Sequence, residues 1–255
     1  MSELAWLETG APADSFPPVE RALREPDGLL AAGGDLAPDR LLYAYQHGIF
    51  PWFEQGQPVL WWSPNPRCVL PTDEFHRSRS LLRTVRRCGW SVTVNEDFAA
   101  VVDGCAEWRR HRRSTWITPT MRAAYLQLHE RGFARSLEVW NRGQLIGGIY
   151  GVALGRMFFG ESMFSREPDA SKIAMLALCI AMRLQQMPLL DCQVRSPHLT
   201  SLGARMIART EFLGRLRQLC PRIEPAPAFF DGSLAVLKMA DSVPFPGREP
   251  KGTFG

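Results

Sequence analysis

The stretch from residue 135 to residue 194 restricts the fold more than any other part of the chain. Three runs with strand character, "RSLEVW" (135–140), "QLIGGIYGVAL" (144–154) and "RMFFGESMF" (156–164), are separated only by turn sequence at Asn141–Gly143 and at Gly155. Connections this short force antiparallel pairing, so the three runs predict a meander. Next, "PDASKIAMLALCIAMRLQQM" (168–187) is apolar over helical length and leads into a further strand, "LLDCQV" (189–194). Strand, helix, strand in that order predicts a right-handed crossover and a parallel pair. The expected fold class is α+β: a mixed sheet, antiparallel at first and then parallel, flanked by helices.

The flanking sequence fits around such a sheet. "HRSRSLLRTVRR" (76–87) and "DFAAVVDGCAEW" (97–108) read as helices, with the strand "WSVTVN" (90–95) between them. "TPTMRAAYLQLHERG" (118–132) is punctuated as a helix, with Thr118 as N-cap, Pro119 at its first position and Gly132 beyond its end. Turn signals dominate the first sixty-odd residues, where Pro26, Gly28, Gly33, Gly34 and Pro38 precede a short helix, "PDRLLYAYQHG", with Asp35 as a possible cap. We therefore expect a small N-terminal domain, 1–65, followed by a larger one, 66–255. With 255 residues that are 45% hydrophobic, the chain can bury a real core. Neither an apolar run of membrane-spanning length nor a basic start followed by an apolar segment is present, so a cytoplasmic protein is expected. The six cysteines include no C-x-x-C pair and read as reduced thiols rather than a disulfide frame or zinc site.

The third strand raises a chemical question. In "RMFFGESMFS" (156–165), Glu161 sits among residues that demand burial, yet a buried unpaired carboxylate is costly. Asp191 and Gln193 lie two apart in "LLDCQV", and strict strand alternation puts both on one face with Cys192 on the other. The crossover brings that strand beside Glu161, so three polar groups would gather at one opening of the sheet. Each could equally cap a strand end or pair with an arginine.

Charge and aromatic content add a second theme. Arg79, Arg83, Arg86 and Arg87 fall at i, i+4, i+7 and i+8, one stripe of a helix, and "EWRRHRRSTW" adds Arg109, Arg110, Arg112 and Arg113. These two stretches hold nine arginines (Arg77 included) against one acid, Glu107. Solvated helix faces normally mix signs, so a polyanion surface is the better reading. Aromatic residues crowd turn-rich sequence at Tyr45, Phe50, Trp52, Phe53, Trp61, Trp62 and Trp116, suited to core packing or to stacking on bases. The chain contains no P-loop, no dinucleotide glycine motif, no G-x-S-x-G and no H-E-x-x-H.

Taken together, "GLLAAGGDLAPDRLLYAYQHGIFPWF", "WWSPNPRCVL", "TWIT", "GGIYGVALGRMFFGESMFS" and "LLDCQV…HLTSLGA" resemble the bacterial leucyl/phenylalanyl-tRNA–protein transferase family from about residue 15 to about residue 215. The resemblance implies a small N-terminal domain and an acetyltransferase-like catalytic domain that works without a cofactor. It implies an enzyme whose partners are aminoacyl-tRNA charged with Leu, Phe or, less well, Met, and proteins beginning with Arg or Lys; a monomer is expected, because tRNA already supplies a large interface. Transfer would mark the acceptor for degradation by the N-end rule. It further implies that Asp191 with Gln193 orients and deprotonates the attacking amine, while Glu161 waits unpaired for a substrate cation. The aminoacyl side chain would sit among Ile149, Phe158, Met175, Leu178, Met182 and Leu190, close to Tyr45, Gly160 and Ser162. Trp52 and Trp116 would flank the terminal adenosine, and Arg79, Arg83, Arg86 and Arg87 would hold the tRNA body. A rival within the same fold, a CoA-dependent acyltransferase, is opposed by Asp169, an acid where a glycine should let phosphate approach. A non-catalytic tRNA-binding module is the other alternative.

Overall fold

The structure is a computed structural model that describes residues 4–110, 116–229 and 234–235. The N-terminal part folds around a four-stranded sheet. Its elements are β1 (Ala5–Leu7), β2 (Leu29–Gly33), α1 (Pro38–Gln46), β3 (Phe50–Pro51) and β4 (Leu60–Trp62), with strand order β1-β2-β4-β3. Trp61 is wholly buried there and donates its indole N–H to the carbonyl of Gly33 at 3.0 Å. Helix α1 starts at Pro38, whose fixed φ suits the first turn. Asp35 is not its cap. Ala37 holds that position, and the Asp35 carboxylate instead accepts from the backbone of Gly10 and Ala37 and from Arg40, tying down the preceding loop. Gly48, at φ +75, ends the helix in the left-handed conformation that glycine adopts without penalty.

The larger part contains β5 (Arg67–Pro71), α2 (Arg79–Arg87), β6 (Ser91–Val94), α3 (Phe98–Arg110), α4 (Pro119–Glu130), β7 (Ala134–Asn141), β8 (Gln144–Leu154) and β9 (Met157–Ser165). It continues with α5 (Ala170–Leu184), β10 (Leu189–Gln193), α6 (Pro197–Ser201), β11 (Arg205–Ile207), α7 (Arg209–Leu219) and β12 (Leu234–Ala235). Its eight-stranded sheet runs β11-β5-β10-β9-β8-β7-β6-β12. As expected, β7, β8 and β9 form an antiparallel meander, and β10 pairs parallel to β9. Beyond β10 the sheet turns antiparallel again, because β5 pairs with β10 and β11 with β5.

The crossover helix explains why the core sits where it does. Every residue of α5 from Ile173 to Met182 is buried, which fits a helix that is apolar on all sides. It packs on β7, β8 and β9 and also on α2. Ser78 caps α2 by accepting from the N–H of Leu81, and Thr118 caps α4 by accepting from that of Met121. Leu81 and Val85 bury the inner face of α2, leaving Arg79, Arg83, Arg86 and Arg87 exposed.

Candidate active site

Two neighbouring strands each carry an extra residue at the same level. Across β8 and β9, Tyr150 faces Ser162 and Gly151 faces Gly160, so Glu161 is a bulge without a partner in register. A side chain at Gly151 would place its Cβ 2.0 Å from the carbonyl oxygen of Phe159, so glycine is required opposite this bulge. Across β10 and β5, Asp191 faces Val69 and Gln193 faces Cys68, so Cys192 is the surplus residue, and Gln193 takes a left-handed φ of 62°. Bulges bend a strand and re-aim its side chains, and they concentrate beside active sites. The parallel pairing of β9 with β10 ends at Phe159 and Asp191. A cavity of about 350 Å³ opens just beyond, lined by Glu161, Gln193 and Cys192.

The bulge overturns the simple alternation expected for β10. Asp191 does not share the cavity wall with Gln193; it is fully buried behind it. Its Oδ2 accepts from Arg67 Nη2 at 2.7 Å, and its Oδ1 accepts from Arg67 Nε and from the backbone N–H of Gln193, both at 2.9 Å. Arg67 is equally buried, lies between the rings of Phe50 and Phe212, and donates to the carbonyl of Gly48. Through Oδ1, Asp191 is bonded to the backbone of Gln193, whose side chain lines the cavity.

Glu161 has partners, contrary to the expectation of an unpaired carboxylate. Oε1 accepts from Tyr45 at 2.7 Å and from Gln193 Nε2 at 2.8 Å, and Oε2 accepts from Tyr125 at 2.6 Å. The two tyrosine hydroxyls lie 2.6 Å apart. The two hydroxyls and the carboxyl thus close a ring of three short contacts. Two tyrosines supply only two hydrogens, so the third contact is filled when Glu161 itself carries a proton. The carboxyl pKa agrees: burial raises it to about 7, against the lowering effect of the bonds from Tyr125, Tyr45 and Gln193. Burial also raises both tyrosines well above their ordinary value, which keeps them as donors.

The other sequence-derived residues divide cleanly. Trp52, Trp116, Ile149, Gly160, Ser162, Met175 and Leu190 line the cavity with Glu161 and Gln193. Phe158, Leu178 and Met182 are fully buried in the core and do not reach it, and Tyr45 stands behind Glu161. The side chains of the run Arg109–Arg113 lie outside the described residues. The sequence reading missed Arg67, Tyr125, Arg195 and His198. Tyr125 falls in the buried Met121, Tyr125, Leu128 spacing of α4 and reads as core. Arg67 offered one signal, a charge opening the apolar strand "RCVLP". Arg195 and His198 line the cavity, and burial, then Lys172, lowers the His198 pKa below its ordinary value. Among the described residues no group of three potential ligands is placed to hold a metal ion, and no helix is long and apolar enough to cross a membrane.

Comparison with known proteins places this chain in a family. The sequence profile described as leucyl/phenylalanyl-tRNA protein transferase matches residues 69–217, and that of the N-terminal domain of the same transferase matches 34–65. The chain belongs to the leucyl/phenylalanyl-tRNA–protein transferase family. A leucyl/phenylalanyl-tRNA–protein transferase of Pseudomonas fluorescens (strain Pf-5) is 54% identical over 214 residues, 84% of this chain and 94% of that one. Those of Chromohalobacter salexigens and Stutzerimonas stutzeri are 56% and 57% identical over 215 and 209 residues. They cover 84% and 82% of this chain, and 83% and 92% of theirs. The chain is thus an aminoacyltransferase of this family. Among solved structures, FemX aligns with a TM-score of 0.45 and 12% identity over 67% of this chain and 66% of that one, too loosely to bear on mechanism.

Proposed function

We propose that this enzyme transfers Leu or Phe, and Met less well, from aminoacyl-tRNA to the α-amine of proteins beginning with Arg or Lys, marking them for the N-end rule. We place it in the cytoplasm as a monomer of two units, 1–65 and 66–255. The observation that carries the reading is one titratable carboxyl, Glu161, facing a cavity whose wall is otherwise mainly apolar. Ile149, Met175 and Leu190 would receive the aminoacyl side chain, and Trp52, 44% exposed at the rim, would stack on the terminal adenosine with Trp116.

Aminolysis joins the acceptor nitrogen to the ester carbonyl carbon and breaks the bond from that carbon to the terminal ribose oxygen. One proton moves from the nitrogen to the departing oxygen. The ester is already activated, so positioning and proton transfer suffice. Ionised Glu161 takes the proton, and the tyrosine ring keeps it available for the ribose oxygen. Its pKa of about 7 lies close to that of an α-amine, about 7.7–8.0, so the exchange runs near thermoneutrality. Gln193 holds the carboxyl from the other side, fixed in turn by Asp191 and Arg67. The CoA alternative finds less support: Asp169, at the mouth of α5, presents a carboxylate bonded to Thr84 and Lys172 where a pyrophosphate would have to lie.

Two predictions test the substrate assignments. Met175→Ala enlarges the apolar wall and should shift the Phe-over-Leu preference in kcat/KM by roughly 10-fold or more, within the usual range for hydrophobic pockets. An unchanged ratio would place the side chain elsewhere. Replacing Arg79, Arg83, Arg86 and Arg87 together by Gln should reduce the slope of log K against log salt for tRNA binding by up to about three. An unaltered slope would make the stripe an ordinary solvated face.

A further inference from the structure

Two cysteines meet at the bulge that sets Gln193. Cys192 is the surplus residue of β10, and Cys68 is the residue of β5 that Gln193 faces across it. The two residues of a bulge oppose one residue of the partner strand, so Cys192 lies beside Cys68. Both pack into the apolar layer under α5, Cys68 fully buried and Cys192 half-buried at its edge. The two thiols are hydrogen-bond partners, and the bond from Cys192 holds the Cys68 thiol below its ordinary value against the effect of burial. Of the six cysteines, Cys192 is the one that lines the active-site cavity. Neighbouring strands lie about 4.8 Å apart, within the roughly 4.4–6.8 Å that separates the Cα atoms of bridged cysteines. The pair is unbridged here, with a bridge in reach.

We propose that Cys68 and Cys192 form a peroxide-sensitive pair, whose disulfide silences the enzyme by displacing Gln193. One thiolate of the pair attacks an oxygen of hydrogen peroxide and expels hydroxide, leaving a sulfenic acid. The second sulfur displaces the sulfenic hydroxyl, and the disulfide closes. Two thiols lose two electrons and two protons, and the peroxide takes them up as two waters. Closing draws the sulfurs from hydrogen-bonding separation to about 2.05 Å. The movement falls on the bulge, next to Gln193, whose left-handed backbone and 2.8 Å bond to Glu161 leave little slack. A displacement of about 1 Å in such a group can cost about 10²-fold in rate. The effect on activity rests on the reading that Gln193 holds the reacting carboxyl.

The test frees the reduced full-length enzyme of reductant, adds hydrogen peroxide, and follows leucyl transfer to the Arg peptide beside the mass of its proteolytic fragments. The expected result is a linked fragment joining Cys68 to Cys192, lighter by two hydrogens than the two thiol fragments together. Transfer should fall at least about tenfold as that fragment accumulates, and dithiothreitol should restore it. Cys68→Ala, a change outside the cavity, should keep its transfer rate and form no linked fragment at the same peroxide concentration. Should that variant fail to fold, the linked fragment and its reversal in the unaltered enzyme decide the matter. A bridge from Cys192 to Cys179, or oxidation of Cys192 with no bridge at all, would overturn the pairing. A complete Cys68–Cys192 bridge with transfer unimpaired would overturn the control of activity. If the reduced enzyme transfers no leucine, the proposed reaction falls, and the pairing is judged by mass alone.

Discussion

Glu161→Gln should lower kcat for leucyl transfer by roughly 10²–10⁴-fold, the usual worth of a positioned general base, and should erase one limb of the pH profile. In the unaltered enzyme, kcat/KM for the acceptor rises as Glu161 ionises through about pH 7; in the variant that rise is absent. The same substitution has a stability signature of definite sign. The folded-state pKa of about 7 lies above the ordinary carboxyl value of 4.5. Between those values the folded protein keeps a proton that the unfolded chain has released. The stabilising contribution of this group is therefore complete below the unfolded value and is lost as pH rises through about 7. Between about pH 4 and pH 8 the unaltered enzyme should lose on the order of 3 kcal/mol relative to Glu161→Gln, read from urea denaturation at both pH values. Parallel pH dependence in the two proteins would show that Glu161 is ionised throughout, and the proton-transfer role would go with it.

The second large effect is expected at the buried pair of Arg67 and Asp191. Removing either partner leaves the other charge stranded, which typically costs about 3–5 kcal/mol. Arg67→Met and Asp191→Leu should each lower the melting temperature by roughly 10 °C for a chain of this size. The double variant should recover much of that loss, because an apolar pair avoids the desolvation of two ions. Activity should not recover with it, since the backbone N–H of Gln193 has then lost the Asp191 oxygen that holds it. Thermal melts beside single-turnover transfer distinguish the two contributions. A double variant that is both stable and fully active would reduce the pair to a structural feature, with no part in aiming Gln193.

Much of the scaffold was legible because its signals are local. The meander follows from turns only a few residues long, and the parallel pair from the order of strand, helix and strand. Thr118 and Pro119 announced α4, and the i, i+4, i+7, i+8 spacing placed four arginines on one exposed face. The site was legible in composition but not in geometry. Glu161 and Gln193 do meet at one cavity, yet two bulges decide how, and a bulge arises from the register between strands rather than from either sequence alone. Gly151 was a faint trace of one of them. Strict alternation therefore misplaced Asp191 and Cys192. The partners of Glu161 and Asp191 were hidden for a related reason: Tyr45 is 116 residues and Arg67 is 124 residues distant along the chain. A tyrosine on an apolar helix face, such as Tyr125, carries no mark separating core from site. Phe158, Leu178 and Met182 show the converse, since pocket and core are lined by the same residue types.

The most direct test is transfer of labelled leucine from purified leucyl-tRNA to a peptide beginning with Arg, run beside the same peptide beginning with Ala and beside the Glu161→Gln enzyme. Label on the Arg peptide alone, lost in the variant while tRNA binding is retained, is the predicted result. Bound tRNA with no label on either peptide would contradict the account and leave a tRNA-binding module. Transfer undiminished in Glu161→Gln would move the chemistry to another residue.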